Sequence, residues 1–369
     1  MIQTVSLSDI CTKITSGGTP LTKRDDYYGG GIPWLRTQEV NFGNIYSTEK
    51  TITELGLKNS SAKIIPEDSV IVAMYGATAG RSAINKIPLA TNQACCNLII
   101  DNNKADYRFV YYYLVNSYEK LLSAAVGAAQ QNLGSKQISA MTINLPPLDQ
   151  QKKIADILSS LDEKIELNRH MNETLEQLGQ TLFRHYFVDK AKQSNGNIQT
   201  IPLGKKFHPK RGRSLQARDM ICGDTPVISG GLKPAGFHNE ANTTAPVITI
   251  SASGANAGFV SVWGEPVWSA DSSYIDSTIT KYVYTYYLFL KNKQKEIYDM
   301  QTGSGQPHIY PKHIELLEIV DLSDCEFDDF EQMVRPLFDM IHENKKQIDY
   351  LSKIRDLLLP KLISGEIKI

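Results

Sequence analysis

The chain has 369 residues, of which 41% are hydrophobic and 21% charged, and its formal net charge is −1. This length exceeds what one ordinary hydrophobic core supports, so we expect two domains or a duplicated one. The balanced charge excludes a uniformly basic nucleic-acid binder, and the hydrophobic content excludes a disordered protein. No apolar run is long enough to cross a bilayer and residues 1–13 lack the layout of a secretory signal, which predicts a cytoplasmic protein without membrane partners.

The first part of the chain is predicted to be rich in strands. The run SVIVAM (69–74) is short and β-branched, which is typical of a buried strand. The loop after it, YGATAG (75–80), lacks the Lys-Ser/Thr pair of a phosphate-binding loop, so we exclude a nucleotide site there. Its small residues permit close approach of another backbone, which is either a neighbouring strand or DNA. The tyrosine-rich segment 107–114 predicts a helix in the core.

A long helix is predicted at 149–190, directly after Pro146 and Pro147. Apolar residues recur there every seven positions, which is the pattern of a helix that pairs with another helix. The seventh-position residues are Ile154, Leu161, Leu175 and Leu182, and the residues between them are Leu158, Ile165, Met171 and Leu178. One place in this ladder is polar and is occupied by Asn168.

The second half of the chain repeats the first with a period of about 177 residues. YGATAGRSAI (75–84) matches SGANAGFVSV (253–262), and the helix segment 161–183 matches 337–359. Two copies are too few for a solenoid, so the pattern predicts a duplicated module. We therefore divide the chain into an α/β domain at 1–148, a helix at 149–190, a second α/β domain at 191–328 and a second helix at 329–369.

The second helix carries the same heptad ladder, which reads Leu337, Asn344, Leu351 and Leu358. A buried asparagine in such a seam lowers stability and specifies register. We expect the helices to pair antiparallel, with Asn168 and Asn344 meeting at the centre. A parallel pair would also match the two asparagines, whereas helices packed only on their own domains would leave them exposed. The heptad span from Ile154 to Leu182 is roughly 40 Å, close to the ~34–36 Å between DNA half-sites one turn apart.

Charge is unevenly distributed in the second half. Residues 205–218 contain six lysines and arginines and no acid, whereas residues 321–331 contain six acids and no base. Gly212, Ser214 and Gln216 within the basic run suit phosphate contacts, although a basic run is also a common solvated face. The acidic run is interpreted as a solvated linker into the last helix.

No catalytic centre is visible in the sequence. The five cysteines form no CxxC pair and have no nearby histidine at metal-ligand spacing, which predicts reduced, mostly buried thiols. There is no phosphate loop, no HExxH and no Gly-x-Ser-x-Gly. The tetrapeptide NLPP (144–147) is not the Asn/Asp-Pro-Pro-aromatic motif of an adenine methyltransferase. We therefore expect a protein without catalytic residues, metal or cofactor.

The chain resembles the specificity subunit of type I restriction-modification systems over essentially its whole length. The resemblance is carried by SGGTP (16–20), GIPWLRTQEV (31–40), YGATAGRSAI (75–84), GAAQQNL (127–133), LPPLDQQKKIADILSSLDEKIELN (145–168) and IRDLLLPKLISGEI (354–367). It implies an α+β protein in which two duplicated α/β target recognition domains are separated by two long helices that pair as an antiparallel coiled coil. Each domain would read one half of a bipartite, asymmetric DNA site, and the helices would set the gap between the halves.

Loop chemistry and the resemblance together predict the residues that contact DNA. In the first domain they are Thr19, Arg36, Thr37, Tyr75, Thr78, Gln130, Gln131 and Asn132. In the second they are Ser229, Lys233, Ser253, Asn256, Gln306 and His308, with Lys210, Arg211 and Arg213 on phosphates. Asn and Gln address adenine and Arg addresses guanine, whereas phosphate contacts position the protein without reading sequence. Helix pairing is assigned to Leu161, Asn168, Leu175, Leu337, Asn344 and Leu351.

The resemblance also implies partners. The chain would be a non-catalytic reader that binds double-stranded DNA and two methylation subunits, and restriction and translocase subunits in the full complex. S-adenosylmethionine, ATP and magnesium would be held by those partners. Two alternatives stay open: the equivalent subunit of a type IIB system, which cuts on both sides of its site, and a coiled-coil interaction scaffold whose domains bind protein.

Overall fold

The computed structural model describes residues 2–124, 133–189, 199–303 and 305–369. The chain divides into two units: unit 1 comprises residues 1–166 and 349–369, and unit 2 comprises residues 167–348. Each unit therefore combines one α/β region with segments of both long helices. Within the described ranges, no helix is both long and apolar enough to cross a membrane.

The described strands of unit 1 form three sheets with the orders β2-β10-β7-β8-β4, β5-β3-β9-β6 and β1-β11. Their bounds are β1 Gln3–Ser6, β2 Cys11–Ser16, β3 Tyr28–Leu35, β4 Asn44–Ile45, β5 Lys50–Ile52, β6 Ile64–Ile65, β7 Val70–Ala73, β8 Ser82–Asn85, β9 Leu89–Thr91, β10 Cys95–Ile100 and β11 Thr142–Leu145. Strand β3 runs parallel to β9, whereas β7 runs antiparallel to both of its neighbours.

The described strands of unit 2 repeat this plan in the orders β13-β19-β16-β17, β15-β14-β18 and β12-β20. Their bounds are β12 Thr200–Pro202, β13 Lys210–Arg211, β14 Thr225–Ile228, β15 Gly236–His238, β16 Val247–Ser251, β17 Val260–Trp263, β18 Trp268–Ser269, β19 Ser272–Asp276 and β20 Glu318–Val320. The parallel pair β14–β18 corresponds to β3–β9. The predicted α+β class with a duplicated module is confirmed.

The helices include two long ones, which we name the central helix (Leu148–Phe183) and the terminal helix (Asp324–Ser364). The shorter α-helices are Leu7–Ile10, Glu54–Lys58, Tyr107–Asn116, Tyr118–Ala124, Ser135–Ala140, Val283–Asn292, Gln294–Asp299 and Pro311–Glu315. A π-helical turn at Arg184–Asp189 follows the central helix. Single 3-10 turns lie at Asp25–Tyr27, Thr37–Glu39, Gly76–Thr78, Leu203–Lys205 and Ala217–Asp219.

Each unit has one large hydrophobic core between its main sheet, a tyrosine-rich helix and the long helices. All four residues of β7 and all five of β16 are buried, which suits strands covered on both faces. The helix Tyr107–Asn116 buries two of its four tyrosines and the helix Val283–Asn292 buries all three of its own, in agreement with the core positions predicted from their apolar pattern. The same cores take in Ile154 and Leu362 in unit 1 and Phe183 and Phe338 in unit 2.

The two long helices pack antiparallel within each unit. In unit 1, Arg355 on the terminal helix pairs with Asp162 on the central helix at 2.8 Å. Four of the predicted pairing residues are half-buried: Leu161, Leu175, Leu337 and Leu351. Leu178, which the heptad ladder places in the seam, is instead 44% exposed. The antiparallel arrangement predicted for the helices is therefore confirmed, although the seam is narrower than the ladder indicated.

Asn168 and Asn344 are both buried in unit 2, at 0% and 6% exposure. They do not bond each other. Asn168 Nδ2 donates to Gln347 Oε1 at 3.2 Å, and Asn344 Nδ2 donates to Asn172 Oδ1 at 2.9 Å. The prediction that the two asparagines meet is wrong, because the facing helices are displaced by about one turn. Each asparagine consequently finds an amide of a half-buried residue on the opposite helix.

The acidic run, apart from Asp321, is part of the terminal helix rather than a solvated linker, so that prediction is wrong. The helix begins at Asp324, inside the range 191–328 assigned to the second α/β domain. Glu331 is buried and accepts hydrogen bonds from the backbone N–H groups of Thr285 at 2.9 Å and Tyr284 at 3.4 Å. It caps the helix Val283–Asn292, whose N-cap residue Tyr282 has no capping hydrogen bond. Burial raises the pKa of this carboxyl.

We expect Glu331→Ala to lower the free energy of unfolding by roughly 1–3 kcal/mol, because buried N–H donors lose their acceptor. Asp329→Ala, an exposed acid two residues earlier, should change it by less than about 0.5 kcal/mol. Urea denaturation followed by circular dichroism measures both. Equal midpoints for the two variants would contradict the capping role.

We expect the double variant Asn168→Leu and Asn344→Leu to raise the unfolding free energy by about 1 kcal/mol or more, because buried amides are replaced by apolar groups. Register between the helices should loosen at the same time. Gln177→Leu, at an exposed position of the central helix, is the matched control. A fall in melting temperature of the double variant would show that the asparagines stabilise the seam.

Candidate nucleic-acid interface

A glycine loop directly follows the wholly buried strand of each unit. Gly76 and Gly80 have φ angles of 79° and 80°, and Gly254 and Gly258 have 81° and 90°. Nothing lies within 4 Å of a Cβ built on Gly76 or Gly254. These two glycines are therefore required by the left-handed backbone conformation. The close approach of another backbone, which the sequence predicted, does not occur at these two positions. The loops present neighbouring side chains at the ends of β7 and β16.

Three predicted threonines of unit 1 lie close to this loop. Thr78 Oγ1 donates to the Thr37 carbonyl at 2.8 Å, and Thr37 Oγ1 donates to Asn92 Oδ1 at 3.0 Å. Thr19 Oγ1 donates to Oε1 of Gln93, the residue that follows Asn92. Thr37 is only 8% exposed, so its hydroxyl holds the loops together and does not face solvent.

Arg36 lies between two glutamates. Its Nη2 bonds Glu49 Oε2, and its Nε lies 3.6 Å from Glu39 Oε1. Glu39 is itself held by the backbone N–H groups of Arg36 at 3.0 Å and Glu49 at 2.8 Å. Two carboxylates outweigh one guanidinium, so this side chain is positioned rather than free for a phosphate. Tyr75, by contrast, is 41% exposed.

The predicted contacts Gln130, Gln131 and Asn132 lie outside the described residues. The following residue, Leu133, is buried, and its backbone N–H donates to the Met74 carbonyl at 2.9 Å. Leu133 is therefore joined to the strand end from which Tyr75 and the glycine loop leave.

An indole anchors the loop after the first strand of the main sheet in both units. In unit 1, Trp34 Nε1 donates to the Gly18 carbonyl at 3.0 Å, which fixes the segment carrying Thr19. In unit 2, Trp268 Nε1 donates to the Arg213 carbonyl at 2.8 Å. The indole that donates to this loop carbonyl therefore comes from β3 in unit 1 and from β18 in unit 2.

The predicted residues of unit 2 come from distant segments that meet at its glycine loop. Ser253 forms an antiparallel bridge with His308. Asn256 Nδ2 lies 3.5 Å from the carbonyl of Gly230, the neighbour of Ser229. The structure thus brings Ser229, Ser253, Asn256 and His308 together.

Sequence reasoning missed two members of this group, Asp271 and Tyr310. Asp271 Oδ1 accepts from Arg211 Nη2 at 2.8 Å, and its Oδ2 accepts from the Ser253 hydroxyl. The Arg211 guanidinium carbon lies 6.0 Å from the centre of the Tyr310 ring, which stacks on His308 at 5.9 Å. The signal for Asp271 was its position as a single acid in the turn between two strands, 60 residues from the basic run.

Six predicted contacts are exposed side chains: Tyr75, Lys210, Arg211, Arg213, Lys233 and Gln306. Another member of the basic run, Lys206, pairs with Asp321 at 2.8 Å. We call the predicted contacts of each unit that the structure describes its reading surface. The reading surface of unit 2 includes Lys210 and Arg213.

The side chains of the reading surfaces can donate and accept hydrogen bonds. No cluster of His, Cys, Asp or Glu in the described ranges is arranged to hold a metal. Burial raises the pKa of Cys95 and Cys96 to about 12, so these thiols are unreactive. Cys222 and Cys325 are exposed, against the prediction of mostly buried thiols. Amides, hydroxyls and guanidinium groups on loops are suited to recognition of base edges and phosphates.

Comparison with known proteins agrees with this chemistry. Residues 2–177 match the family model described as type I restriction modification DNA specificity domain. The type I restriction enzyme MjaIX specificity subunit of Methanocaldococcus jannaschii is 28% identical, over 97% of this chain and 91% of that protein. The HindI specificity subunit of Haemophilus influenzae is 25% identical, over 70% of this chain and 77% of that protein.

Among solved structures, the type I S subunit of M. genitalium has the same fold. Its TM-score is 0.67 at 21% identity, and the match covers 98% of this chain and 96% of that one. The type IIB and protein-scaffold alternatives gain no support from these relatives. Residues 2–177 therefore match the type I restriction modification DNA specificity domain, and the chain as a whole is similar to the specificity subunits of type I restriction enzymes.

Proposed function

We propose that this chain reads a bipartite, asymmetric DNA site, with unit 1 reading one half and unit 2 the other. The observation that carries this proposal is a repeated backbone with different side chains at equivalent loop positions. Tyr75 corresponds to Ser253 and Thr78 to Asn256, counted from the left-handed glycines Gly76 and Gly254. Side chains of different hydrogen-bonding capacity select different base pairs, so the two halves differ.

The paired helices dock two methylation subunits, and restriction and translocase subunits join in the full complex. Exposed apolar side chains on the helices support this role: Leu167 is 53%, Tyr350 67% and Leu357 67% exposed. Such residues are typical of surfaces that partners cover. S-adenosylmethionine, ATP and magnesium belong to those subunits, and the flipping of a target adenine would take place there.

The central and terminal helices also set the spacer between the two halves of the site. The support is the continuous length of the central helix, 36 residues, which corresponds to roughly 54 Å at ~1.5 Å per residue. Because each residue of an α-helix adds a constant rise, the spacer would depend on the number of residues in these helices.

DNA binding is tested with the complex of this chain and its methylation subunit. We expect affinity for duplex DNA to fall by roughly 10³-fold between 50 and 200 mM salt, as for about six phosphate contacts. Fluorescence anisotropy at several salt concentrations measures the slope. Absent or salt-insensitive binding would favour a scaffold for proteins instead.

The spacer is tested by adding one heptad to each long helix, after Asn168 and after Gln347. Seven residues add roughly 10 Å, or about three base pairs at ~3.4 Å each. We expect a longer spacer with both half-sites unchanged, determined by mapping methylated adenines across a genome. Changed half-sites with an unchanged spacer would contradict the role of the helices.

A further inference from the structure

We propose that Arg211 reads a guanine in the half-site of unit 2, and that Asp271 is the positioning residue that makes this possible. The proposal rests on the DNA-reading function above. It changes the role of Arg211, because the sequence analysis predicted that this residue contacts a phosphate. It assigns one base of the recognised site to one side chain.

The guanidinium of Arg211 is held on two sides. Asp271 Oδ1 accepts from its Nη2 at 2.8 Å, and the Tyr310 ring lies beneath it with 6.0 Å between Cζ and the ring centre. Asp271 cannot turn away, because its second oxygen is bound by the Ser253 hydroxyl. Tyr310 is in turn stacked on His308 at 5.9 Å, so residues from three other chain segments hold this side chain.

This held guanidinium remains reachable. The side chain of Arg211 is 40% exposed and that of Asp271 39% exposed. Arginine carries five N–H donors, and the bond to Asp271 uses one of them. The remaining donors are sufficient for the paired hydrogen bonds to O6 and N7 of guanine, the commonest specific contact in the major groove. Because the side chain is already ordered, little rotamer entropy is lost when it binds.

A phosphate is a poor partner for this arginine. The Asp271 carboxylate adjoins the guanidinium, so an incoming phosphate anion would meet a like charge within a few ångströms. Arg213 and Lys210 provide the contrast: both are exposed, and in the described part of the chain neither has an ion-pair partner. Free cations on the same segment bind backbone phosphates, whereas the paired one is left for a neutral base edge.

The test uses the complex with the methylation subunit and duplex DNA randomised across the site, with the bound fraction sequenced. Arg211→Lys retains the positive charge but cannot form the planar paired contact. We expect it to reduce preference for one guanine roughly 5- to 150-fold, in one half-site only. Arg213→Lys is the matched control and should leave every base preference unchanged. Asp271→Asn, which weakens the hold on Arg211, should relax the same position partially.

An unchanged base preference in the other half-site shows that the complex is intact. The melting temperature of each variant shows that it is folded. Unchanged base preferences in Arg211→Lys would overturn the proposal, and so would an Asp271→Asn variant that merely binds all sequences more tightly. If the unsubstituted complex selects no sequence at all, the proposed DNA-reading function fails. Selection by the unsubstituted complex together with an inert Arg211→Lys rejects only the assignment of Arg211.

Discussion

The hydrophobic core of each unit is completed by segments of both long helices. In unit 1, Ile154 and Leu158 of the central helix share a core with Leu362 of the terminal helix. In unit 2, Phe183 packs on Phe330 with 6.1 Å between ring centres. Only antiparallel pairing brings these partners together, because a parallel pair would match the two helices in chain order. Burial of apolar surface therefore makes segments of both helices part of each core.

The duplicated units solve the same structural problem with different residues. The tyrosine-rich helix of unit 1 is capped by its own N-cap residue, Asp106, whereas that of unit 2 is capped by Glu331 from the terminal helix. Across the parallel strand pair, Trp34 faces Ala90 in unit 1, but Val227 faces Trp268 in unit 2. The tryptophan and the smaller residue opposite it therefore lie on exchanged strands in the two units. In both units the indole N–H still donates to a loop carbonyl. A backbone maintained by such compensation leaves the loop side chains free to differ.

Prediction from the sequence located the loops of the candidate interface where they follow recognisable strands. The positions around Tyr75 and Ser253 were identified because a glycine loop after a β-branched run is a local pattern. Asp271 was not, because its closeness to Arg211 depends on the pairing of β13 with β19, where Arg211 lies opposite Ser273. Tyr310 was not, because its segment joins the site through the bridge between Ser253 and His308. Strand register between distant segments leaves no local trace in residue order.

Patterns repeated along the chain were sufficient to predict the duplication, the two long helices and their polar seam positions. A heptad repeat is visible because helix geometry places every seventh residue on one face. The register of the pair required the three-dimensional packing, which shifts Asn168 onto Gln347 and Asn344 onto Asn172. The acidic run also shows what the sequence leaves undecided. Composition distinguishes charged from apolar residues, but it does not distinguish buried from exposed carboxylates. Glu331 is buried because a neighbouring helix end lacks a cap, and that need arises only when the two segments meet.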